Sequence, residues 1–427
     1  MTDNPMKVTV IGAGKMGLPL ACVFASRGAQ VTVCDVNRDV VDGINRGICP
    51  FDEPGVSALL ATMVGSGSLR ATTDTTTAVS ASEVVVVLVP VLLRDDNRAD
   101  LSIIDSIGET LSSSLRRGAM VSVETTLPVG GTRRLGAIVE RGGLRAGTDF
   151  DLVFSPERVK SRLVLRNLQV NPKVVGGITP EAAARAEAFY TEFLGVPVDN
   201  VGTLEAAEFV KLAGMIYRDV NIALANELAT YAEGHGIDFS PVRAAANTDG
   251  EAAILLPGIG VGGHCTPVYP YFLINEAAER GLPATMALLG RQINDFQPTR
   301  ALDRIESRIG SLEGRRVLVM GLGFRPDVKE HHFSPAFQVC AGLQKRGAQA
   351  TVYDPLYTDA ELRSHGLEPG TVEGAEVAIL VTGHKAFGGL LPMLASAGVR
   401  LVFDGRAFWS PSEAERVGLG YIGVGLG

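Results

Sequence analysis

The sequence is short of positive charge and of paired cysteines. Its formal net charge is −8 and its pI is near 5.4, so the chain as a whole is not attracted to nucleic acid or to an anionic membrane surface. The five cysteines are scattered at 22, 34, 49, 265 and 340, without a CxxC metal spacing or the density of a disulfide scaffold. We therefore predict a protein of the reducing cytoplasm, with no nucleic-acid partner and no metal site.

Long hydrophobic runs are also missing. The opening MTDNPMKVTV has no charged leader followed by an apolar core, and the most apolar run, Val84 to Leu93, is short and contains Pro90. We expect neither a secretory leader nor a membrane span, and hence no membrane partner.

Glycine is abundant, with 50 residues among 427 and no Gly-X-Y period. Hydrophobic residues make up 46% and charged residues 20%, which is ordinary globular usage. This length is enough for two or three domains with full cores. The glycines should mark tight turns and close backbone approaches, as in α/β architecture.

Strand and helix patterns alternate in the first half. Residues 7–37 read as strand, glycine turn, helix and second strand, and EVVVVLVP (83–90) is apolar throughout, as a parallel strand buried on both faces would be. Further strands are expected at 120–126 and 151–157. This alternation predicts a doubly wound parallel sheet.

The pattern changes at Thr203 and again after Pro298. A long helix, or two, is predicted after Thr203, and a second helical stretch over 284–310 is expected to break near Pro298. RRVLVMGLGF from 315 and GAQATVYDP (347–355) then repeat the strand and glycine-turn pattern of the first half. We predict two Rossmann-type halves joined by a central helical region, with domains at 1–202, 203–297 and 298–427.

Gly12, Gly14 and Gly17 form GxGxxG between a predicted strand and helix. The first glycine allows the tight turn, the second lets a diphosphate approach, and the third permits close packing. Asp35 ends the second strand, where a carboxylate accepts from ribose hydroxyls and repels the 2′-phosphate of NADP. Tight glycine turns also occur without a nucleotide, but this context predicts NAD.

PGIGVGGHC (257–265) leads a glycine-rich loop into one cysteine. A buried structural thiol is the usual fate of a cysteine. A glycine loop instead exposes the sulfur, and a helix starting after it would lower the thiol pKa, so we favour Cys265 as a nucleophile.

Three other side chains are weaker candidates. Lys211 lies on the long predicted helix, where most lysines are merely solvated, although desolvation could tune its amine for acid/base or oxyanion work. Thr126 and Glu157 follow predicted strands, where doubly wound sheets place their sites, but both could equally be turn or cap residues.

Ten motifs run in order along essentially the whole chain. They are GxGxxG with Asp35, INRGICPFDEPG (44–55), ETTLPVGGT (124–132), SPER (155–158), EAAEFVKLAGMIYRDVNIALANE (205–227), PGIGVGGHC (257–265), RQIND (291–295), GLGFRPD (321–327), SPA (334–336) and FDGR (403–406). Together they resemble the UDP-glucose/GDP-mannose dehydrogenase family. RDVNIALANEL and GGHC are most similar to the branch that oxidises UDP-N-acetyl-D-mannosamine.

The resemblance implies oxidation of the C6 hydroxymethyl of a nucleotide sugar to a carboxylate with two NAD. A cysteine captures the aldehyde as a thiohemiacetal, and the resulting thioester is hydrolysed. Cys265 matches that nucleophile, Lys211 the lysine that stabilises the oxyanion, Glu157 the carboxylate that assists hydrolysis, and Thr126 the water-holding threonine.

The resemblance also implies binding partners. The amino-terminal half would hold NAD, the carboxy-terminal half the nucleotide of a UDP-sugar, and the central helix a second copy in a homodimer. The expected cofactor-binding residues are Gly12, Gly14, Lys15, Met16, Gly17, Asp35, Val89, Pro90 and Thr126. The expected substrate-binding residues are Arg158, Gly262, Gly263, Phe324, Arg325, His332 and Arg406.

Several positions depart from the family pattern. Met215 stands where the family has an asparagine that donates to the oxyanion, and methionine cannot donate. Tyr269 replaces an aspartate assigned to water activation, Glu251 and His332 replace substrate arginines, and Arg325 replaces a lysine. Because these changes cluster at the chemistry and the substrate, a specialised member acting on an unusual nucleotide sugar is our hypothesis.

Three alternatives remain open at this point. Met215 and Tyr269 are compatible with a single oxidation or an NAD-assisted epimerisation, and Glu251 and His332 with a catalytically silent nucleotide-sugar binder. A β-hydroxyacid dehydrogenase shares the amino-terminal turn and a helical lysine, but it lacks the GGHC loop and a second nucleotide half.

Overall fold

The computed structural model describes residues 5–426. The chain folds as two compact units. One comprises the chain up to Gly214 together with Tyr271–Arg280, and the other comprises Met215–Pro270 and Gly281 to the carboxyl end. The three domain boundaries stated above stay a prediction.

Both units combine strands with helices. The strands are β1 Lys7–Ile11, β2 Gln30–Cys34, β3 Leu69–Thr72, β4 Val84–Val87, β5 Met120–Val123, β6 Asp151–Phe154, β7 Lys173–Gly177, β8 Val198–Thr203, β9 Arg316–Met320, β10 Gln349–Tyr353, β11 Val377–Leu380, β12 Leu401–Asp404 and β13 Gly420–Gly423. The α-helices are α1 Gly17–Ser26, α2 Arg38–Asn45, α3 Val56–Gly65, α4 Thr75–Ser80, α5 Ser102–Ser114, α6 Gly131–Val139, α7 Val164–Val170, α8 Pro180–Leu194, α9 Leu204–Gly234, α10 Phe239–Ala246, α11 Tyr269–Glu279, α12 Thr285–Ile309, α13 Pro335–Lys345, α14 Asp359–Ser364, α15 Leu391–Ser396 and α16 Pro411–Arg416. Short 3₁₀ helices lie at Glu140–Gly142 and Lys385–Phe387.

The first unit is built on an eight-stranded sheet with the order β3-β2-β1-β4-β5-β6-β7-β8. Its strands pair in parallel, as predicted, except that β7 runs antiparallel to β6. Every residue of β4 is buried, as its unbroken apolar sequence predicts for a strand covered on both faces. The carboxyl ends of β1, β4, β5 and β6 therefore lie along one edge of the sheet, where parallel α/β sheets place their sites.

The second unit contains a five-stranded sheet with the order β10-β9-β11-β12-β13, in which every pair is parallel. Its β-α-β opening repeats the pattern that begins the first unit. The prediction of two doubly wound parallel-sheet halves with a long central helix is confirmed, and that helix, α9, is a single element of 31 residues.

The expected break at Pro298 is wrong. Pro298 is buried inside α12, which continues for 25 residues. A proline in a helix removes one backbone donor and crowds the preceding turn. Here its ring packs toward the loop at Gly260, since a Cβ built on that glycine would meet the Pro298 ring at 3.4 Å, so burial offsets the lost hydrogen bond.

Among the described residues, no helix is both long enough and apolar enough to cross a membrane.

Candidate active site

The glycine turn between β1 and α1 uses its three glycines differently. A Cβ on Gly12, where φ is +110°, would lie 2.1 Å from the Leu88 carbonyl oxygen, and one on Gly17 would lie 2.0 Å from that of Gly12. Nothing lies within 4 Å of the position of a Cβ on Gly14. Two glycines are therefore required by the turn itself, while the third leaves open backbone of the kind that a diphosphate approaches.

Asp35 holds this turn from the end of β2. Its carboxylate accepts the backbone N–H of Ala13 at 3.0 Å and that of Asn37 at 2.9 Å. Helix α1 begins after Met16 without a side-chain cap, and Lys15 beside it is exposed. The free helix end, the exposed lysine and the remaining lone pairs of the Asp35 carboxylate fit the diphosphate and ribose of NAD.

We predict that Asp35→Asn raises the KM for NAD at least about tenfold and narrows the preference for NAD over NADP, because the amide neither pairs two hydroxyls nor repels a 2′-phosphate. Initial rates with both cofactors measure this. Asp39→Asn, at an exposed position on α2, is the matched control. Unchanged discrimination in Asp35→Asn would remove Asp35 from cofactor selection.

The loop after β4 is tied to the loop after β5. The hydroxyl of Thr125 donates to the Val89 carbonyl oxygen at 2.9 Å and accepts the Val89 N–H at 2.9 Å. Thr126 is buried and Pro90 is exposed. The predicted residues Val89 and Thr126 thus belong to two neighbouring loops at the carboxyl edge of the sheet. The two hydrogen bonds of Thr125 hold these loops together.

Lys211 and Glu157 meet in the first unit. The Lys211 ammonium donates to the Glu157 carbonyl oxygen at 2.5 Å and lies 3.6 Å from its carboxylate oxygen Oε2. Lys211 is only 6% exposed, so the lysine is not the solvated surface residue that it would be by default. The Glu157 carboxylate also accepts the Val159 N–H, which fixes its orientation.

Glu208, one turn before Lys211 on α9, anchors the helix to the loop that follows Thr126. It is fully buried, and its carboxylate accepts the N–H groups of Gly130 at 2.6 Å and Thr132 at 2.7 Å, at the start of α6. Burial raises the pKa of Glu208 to about 7, although these two donors lower it. The helix that carries Lys211 and the loop that carries Thr126 are therefore joined by one carboxylate.

A buried charged network lies beneath these loops. Glu124 and Lys173 form an ion pair of 2.5 Å with side chains 1% and 7% exposed. The Tyr190 hydroxyl donates to the second Glu124 oxygen at 2.7 Å and lies 2.7 Å from the Ser122 hydroxyl. The Lys173 ammonium stands 4.9 Å from the centre of the Tyr190 ring. Both charges are thus paired and hydrogen-bonded, as buried charges must be.

This network borders a cavity that also reaches Glu157. Its lining includes Met16 of the glycine turn, Leu88 after β4, Glu124, Lys173 and Glu157. The Glu157 N–H donates to the Glu124 carbonyl oxygen at 3.4 Å. The buried pair is thereby connected to the candidate carboxylate by backbone as well as by shared space.

Removing one member of the pair should be costly. We predict that Lys173→Met lowers the free energy of unfolding by about 3–5 kcal/mol, because it leaves the Glu124 carboxylate charged and unpaired in the interior. Urea denaturation followed by circular dichroism measures this. Arg134→Met, which breaks an exposed pair with Asp105, should cost under about 1 kcal/mol.

The double variant Glu124→Gln/Lys173→Met distinguishes the cause. It removes both charges, so it should be more stable than Lys173→Met alone. An equally unstable double variant would show that the loss comes from packing and not from the unpaired carboxylate.

In the second unit, Cys265 ends a glycine loop and precedes α11. Its carbonyl oxygen accepts the N–H of Tyr269, the first residue of that helix, at 2.9 Å. Cys265 is half-buried, whereas Cys22, Cys34 and Cys340 are buried and burial raises the pKa of each to about 12. Cys265 is therefore more accessible than these three cysteines, whose buried thiols are inert.

The glycine loop packs directly on predicted substrate-binding residues. A Cβ on Gly262 or Gly263 would lie 2.6 Å or 3.0 Å from Phe324, and one on Gly258 would lie 2.4 Å from the Arg406 guanidinium. Side chains larger than hydrogen would collide there. The absence of a Cβ at these positions lets the loop lie against the phenylalanine and the arginine.

Arg406 supports the loop from the end of β12. Its guanidinium donates to the carbonyl oxygens of Val381 at 2.7 Å and Gly260 at 3.2 Å. Burial lowers the pKa of Arg406 to about 10, against the opposite effect of Asp404. Part of this guanidinium therefore holds the protein backbone in place through these two hydrogen bonds.

The carboxyl-terminal half contains a second carboxylate-held turn. Asp354 follows β10 and accepts the N–H groups of Leu322 at 2.7 Å and Gly323 at 3.0 Å. His384 donates from Nε2 to Asp354 at 3.0 Å while its Nδ1 accepts the Asp327 N–H at 2.9 Å, an arrangement of the neutral ring. Burial by itself raises the pKa of Asp354, but the bonds from His384 and the backbone lower it overall.

The remaining predicted binding residues are placed as follows. Arg158 is exposed and donates to the Pro172 carbonyl oxygen. Arg325 is half-buried in the turn after β9, and His332 is exposed. The His332 carbonyl oxygen accepts the Gly263 N–H at 2.8 Å, so His332 and the glycine loop are adjacent.

Sequence reasoning missed three groups of side chains. These are the Glu124–Lys173–Tyr190 network, the Asp354–His384 pair, and the mutually tilted rings of His264 and His332, whose centroids are 3.7 Å apart. The only sequence signal was that Glu124 lies in a singled-out motif and that GAQATVYDP repeats GAQVTVCDV. Partners 30 to 68 residues apart leave no local pattern.

Two dinucleotide-type halves, a carboxylate-held glycine turn in each and a cysteine loop define a nucleotide-dependent oxidoreductase. Comparison with known proteins gives the family. Residues 6–194 match the NAD binding domain of the UDP-glucose/GDP-mannose dehydrogenase family, residues 205–296 its central domain and residues 318–411 its UDP binding domain. The chain belongs to this family of NAD-dependent nucleotide-sugar dehydrogenases, which confirms the resemblance and the cofactor.

Its relatives match over nearly their full lengths. The chain is 31% identical to the UDP-N-acetyl-D-mannosamine dehydrogenase of Pyrococcus horikoshii, covering 99% of this chain and 100% of the relative. It is 32% identical to the NDP-N-acetyl-D-galactosaminuronic acid dehydrogenase of Ralstonia nicotianae, covering 94% and 96%.

Solved structures agree with this relationship. The UDP-D-ManNAc dehydrogenase of Pyrococcus horikoshii superimposes with a TM-score of 0.89 at 30% identity, over 98% of this chain and 99% of that one. The UDP-N-acetyl-mannosamine dehydrogenase of Staphylococcus aureus gives a TM-score of 0.84 at 29% identity, over 98% of both chains.

Proposed function

We propose that this protein oxidises the C6 hydroxymethyl of a UDP-sugar to the uronic acid through a covalent intermediate on Cys265. The observation that carries the proposal is the half-exposed Cys265 at the end of a glycine loop, in contrast to the three buried cysteines. The activities for which the relatives are named point to nucleotide-linked N-acetylated amino sugars, first of all UDP-linked ones, as the first substrates to try.

Bound NAD would supply the hydride acceptor. Loss of the first hydride and a proton from the C6 alcohol gives an aldehyde, and the Cys265 sulfur adds to that carbon to form a thiohemiacetal. Loss of the hydroxyl proton and of a second hydride, for which a second NAD would be the acceptor, leaves a thioester. Water then attacks the carbonyl carbon, the C–S bond breaks, and the carboxylate leaves while the thiol is restored.

The other candidate residues have distinct tasks in this proposal. Lys211, a buried cation, stabilises the oxyanion that develops at C6. Glu157 accepts a proton from the attacking water, which Thr126 helps to hold. The 3.6 Å ion pair of Lys211 with Glu157 supports a shared task, because each charged group alters the electrostatic environment of the other.

A second candidate is a reaction that stops after one oxidation or uses NAD only to epimerise. Met215, four residues after Lys211, and Tyr269, four residues after Cys265, favour it because neither is the polar residue of the family pattern. Losing one oxyanion-hole donor costs roughly 10²-fold or more in rate. Glu251 and His332 similarly favour the silent nucleotide-sugar binder.

We predict two NADH and one acid per sugar when the pure protein is incubated with NAD and a panel of UDP-, TDP- and GDP-sugars. Absorbance counts the NADH, and mass spectrometry identifies the product, because an acid is about fourteen daltons heavier than the alcohol and an epimer has the same mass. One NADH per turnover would support the single oxidation, and none the silent binder.

Cys265→Ala tests the covalent step within the same assay. It should abolish acid formation, since no sulfur remains to hold the aldehyde, while NAD binding persists. Cys49→Ala, the other half-buried cysteine, is the matched control. Undiminished acid formation in Cys265→Ala would refute the role of Cys265.

We also propose that the protein is a homodimer through α9 and α12. On α9, Tyr217, Leu224 and Tyr231 repeat at intervals of seven residues and are 60%, 47% and 66% exposed. On the neighbouring α12, Met286 and Phe296 are 65% and 53% exposed. Such apolar stripes on long helices suit a second copy of the same helices.

We predict that Leu224→Glu/Tyr231→Glu converts the dimer to a monomer, because the carboxylates would be buried against apolar side chains of the second copy. Light scattering on the purified protein measures the molecular mass. Met393→Glu, at a 52% exposed position on α15, is the control. A wild-type protein that is monomeric at micromolar concentration would contradict the proposal. The cytoplasmic location stays a prediction.

A further inference from the structure

One turn of the second unit carries two of the predicted substrate-binding residues. It covers residues 321–328, directly after β9, and includes the half-buried Phe324 and Arg325. Both residues lie inside the range 318–411 that matches the UDP binding domain. The contacts that hold this turn in shape therefore bear on how the second unit would bind a nucleotide.

The start of the turn is held by a carboxylate and a hydroxyl. Asp354, directly after β10, accepts the N–H groups of Leu322 at 2.7 Å and Gly323 at 3.0 Å on its Oδ2 atom. The Thr382 hydroxyl donates to the Gly323 carbonyl oxygen. The backbone immediately before Phe324 is thus fixed at its N–H groups and at a carbonyl oxygen.

The end of the turn is held in an uncommon conformation. Asp327 has a φ of +57°, in the left-handed region that few residues other than glycine adopt. Its N–H donates to Nδ1 of His384 at 2.9 Å, and its carboxylate accepts the Lys385 N–H at 3.0 Å. Strained backbone persists where its surroundings hold it, so these bonds from the loop after β11 maintain the shape of the turn after Arg325.

His384 joins the two ends of the turn. While its Nδ1 accepts the Asp327 N–H, its Nε2 donates to Oδ2 of Asp354 at 3.0 Å, the same oxygen that holds the start of the turn. The imidazole is 1% exposed, and its centre lies 5.3 Å from that of the Phe387 ring. A ligand on the surface of the turn would therefore not touch His384.

The corresponding place in the first unit is built differently. There β4 lies beside the first strand as β11 does here, and the loop after β4 begins with the apolar Leu88 and Val89. Asp35, the counterpart of Asp354 at the end of the second strand, is half-buried, whereas Asp354 is 1% exposed and bonded to His384. The carboxylate is thus accessible in the first unit and an internal support in the second.

We propose that His384 is a positioning residue for nucleotide binding. Acting through Asp354 at one end of the turn and Asp327 at the other, it keeps Phe324 and Arg325 in the arrangement that binds the uridine diphosphate portion of the substrate. Histidine suits this task because one nitrogen donates and the other accepts on two edges of a rigid ring. The inference rests on the proposed function, since it takes a UDP-sugar as the ligand of the second unit.

The test is calorimetric binding of UDP, and separately of NAD, to the full-length protein. His384→Leu removes both hydrogen bonds with little change in size, so UDP should bind at least about tenfold more weakly. The dissociation constant of NAD should change by less than about twofold, because the cofactor turn lies in the first unit. His384→Asn can retain an acceptor for Asp327 and His384→Gln a donor for Asp354, so each should bind UDP more tightly than His384→Leu.

Leu394→Ala is the matched control for general destabilisation of the second unit. Leu394, on α15, is fully buried in the core of this unit, so its truncation should lower the melting temperature without weakening UDP binding. Circular dichroism measures the melting temperature of every variant and confirms that each is folded. If His384→Leu weakens UDP binding no more than Leu394→Ala does, the inference is overturned.

A double-mutant cycle with Arg325→Ala shows whether His384 acts through the turn. His384→Leu should weaken UDP binding much less in the Arg325→Ala background than in the wild type, because a contact that it positions is already gone. Full additivity of the two effects would overturn the inference and leave the proposed function intact. A wild-type protein that binds neither UDP nor any UDP-sugar of the panel would instead refute the proposed function, and the inference with it.

Discussion

The structure depends first on carboxylates that hold backbone turns at the carboxyl ends of strands. Asp35 holds the turn at Ala13, and Asp354 holds the turn at Leu322 and Gly323, each from the strand next to the turn. A carboxylate that accepts backbone N–H groups is a strong, directional anchor. Because the turns cannot relax, the open backbone at Gly14 and the residues that follow β9 keep a defined position at the sheet edge.

Buried carboxylates also hold the loops that carry the candidate catalytic residues. Glu208 ties α9 to the start of α6, and the Glu124–Lys173 pair supports the loops after β5 and β6 from below. Each buried charge is matched by donors or by an opposite charge, so the cost of burial is offset only when the loops occupy this arrangement. The carboxyl edge of the first unit's sheet is thus held in one arrangement where Thr126 and Glu157 lie.

Much of the fold could be predicted because its signals are local. The apolar run at 84–87, the GxGxxG turn and the 31-residue α9 each follow from periodicity or glycine chemistry over a few residues. Lys211 and Glu157 could be chosen, but their contact could not, because 54 residues separate them. The continuity of α12 through Pro298 was mispredicted because burial of the ring outweighed a local rule.

The sequence by itself determined the two parallel-sheet halves, the cofactor turn and the family, since strand, helix and motif patterns are written in neighbouring residues. Only the tertiary structure decided which distant side chains meet: Glu124 with Lys173, Asp354 with His384, and the ring of His264 with that of His332. The physical reason is that burial and electrostatic pairing depend on side chains brought together from distant strands, and no spacing along the chain encodes that proximity.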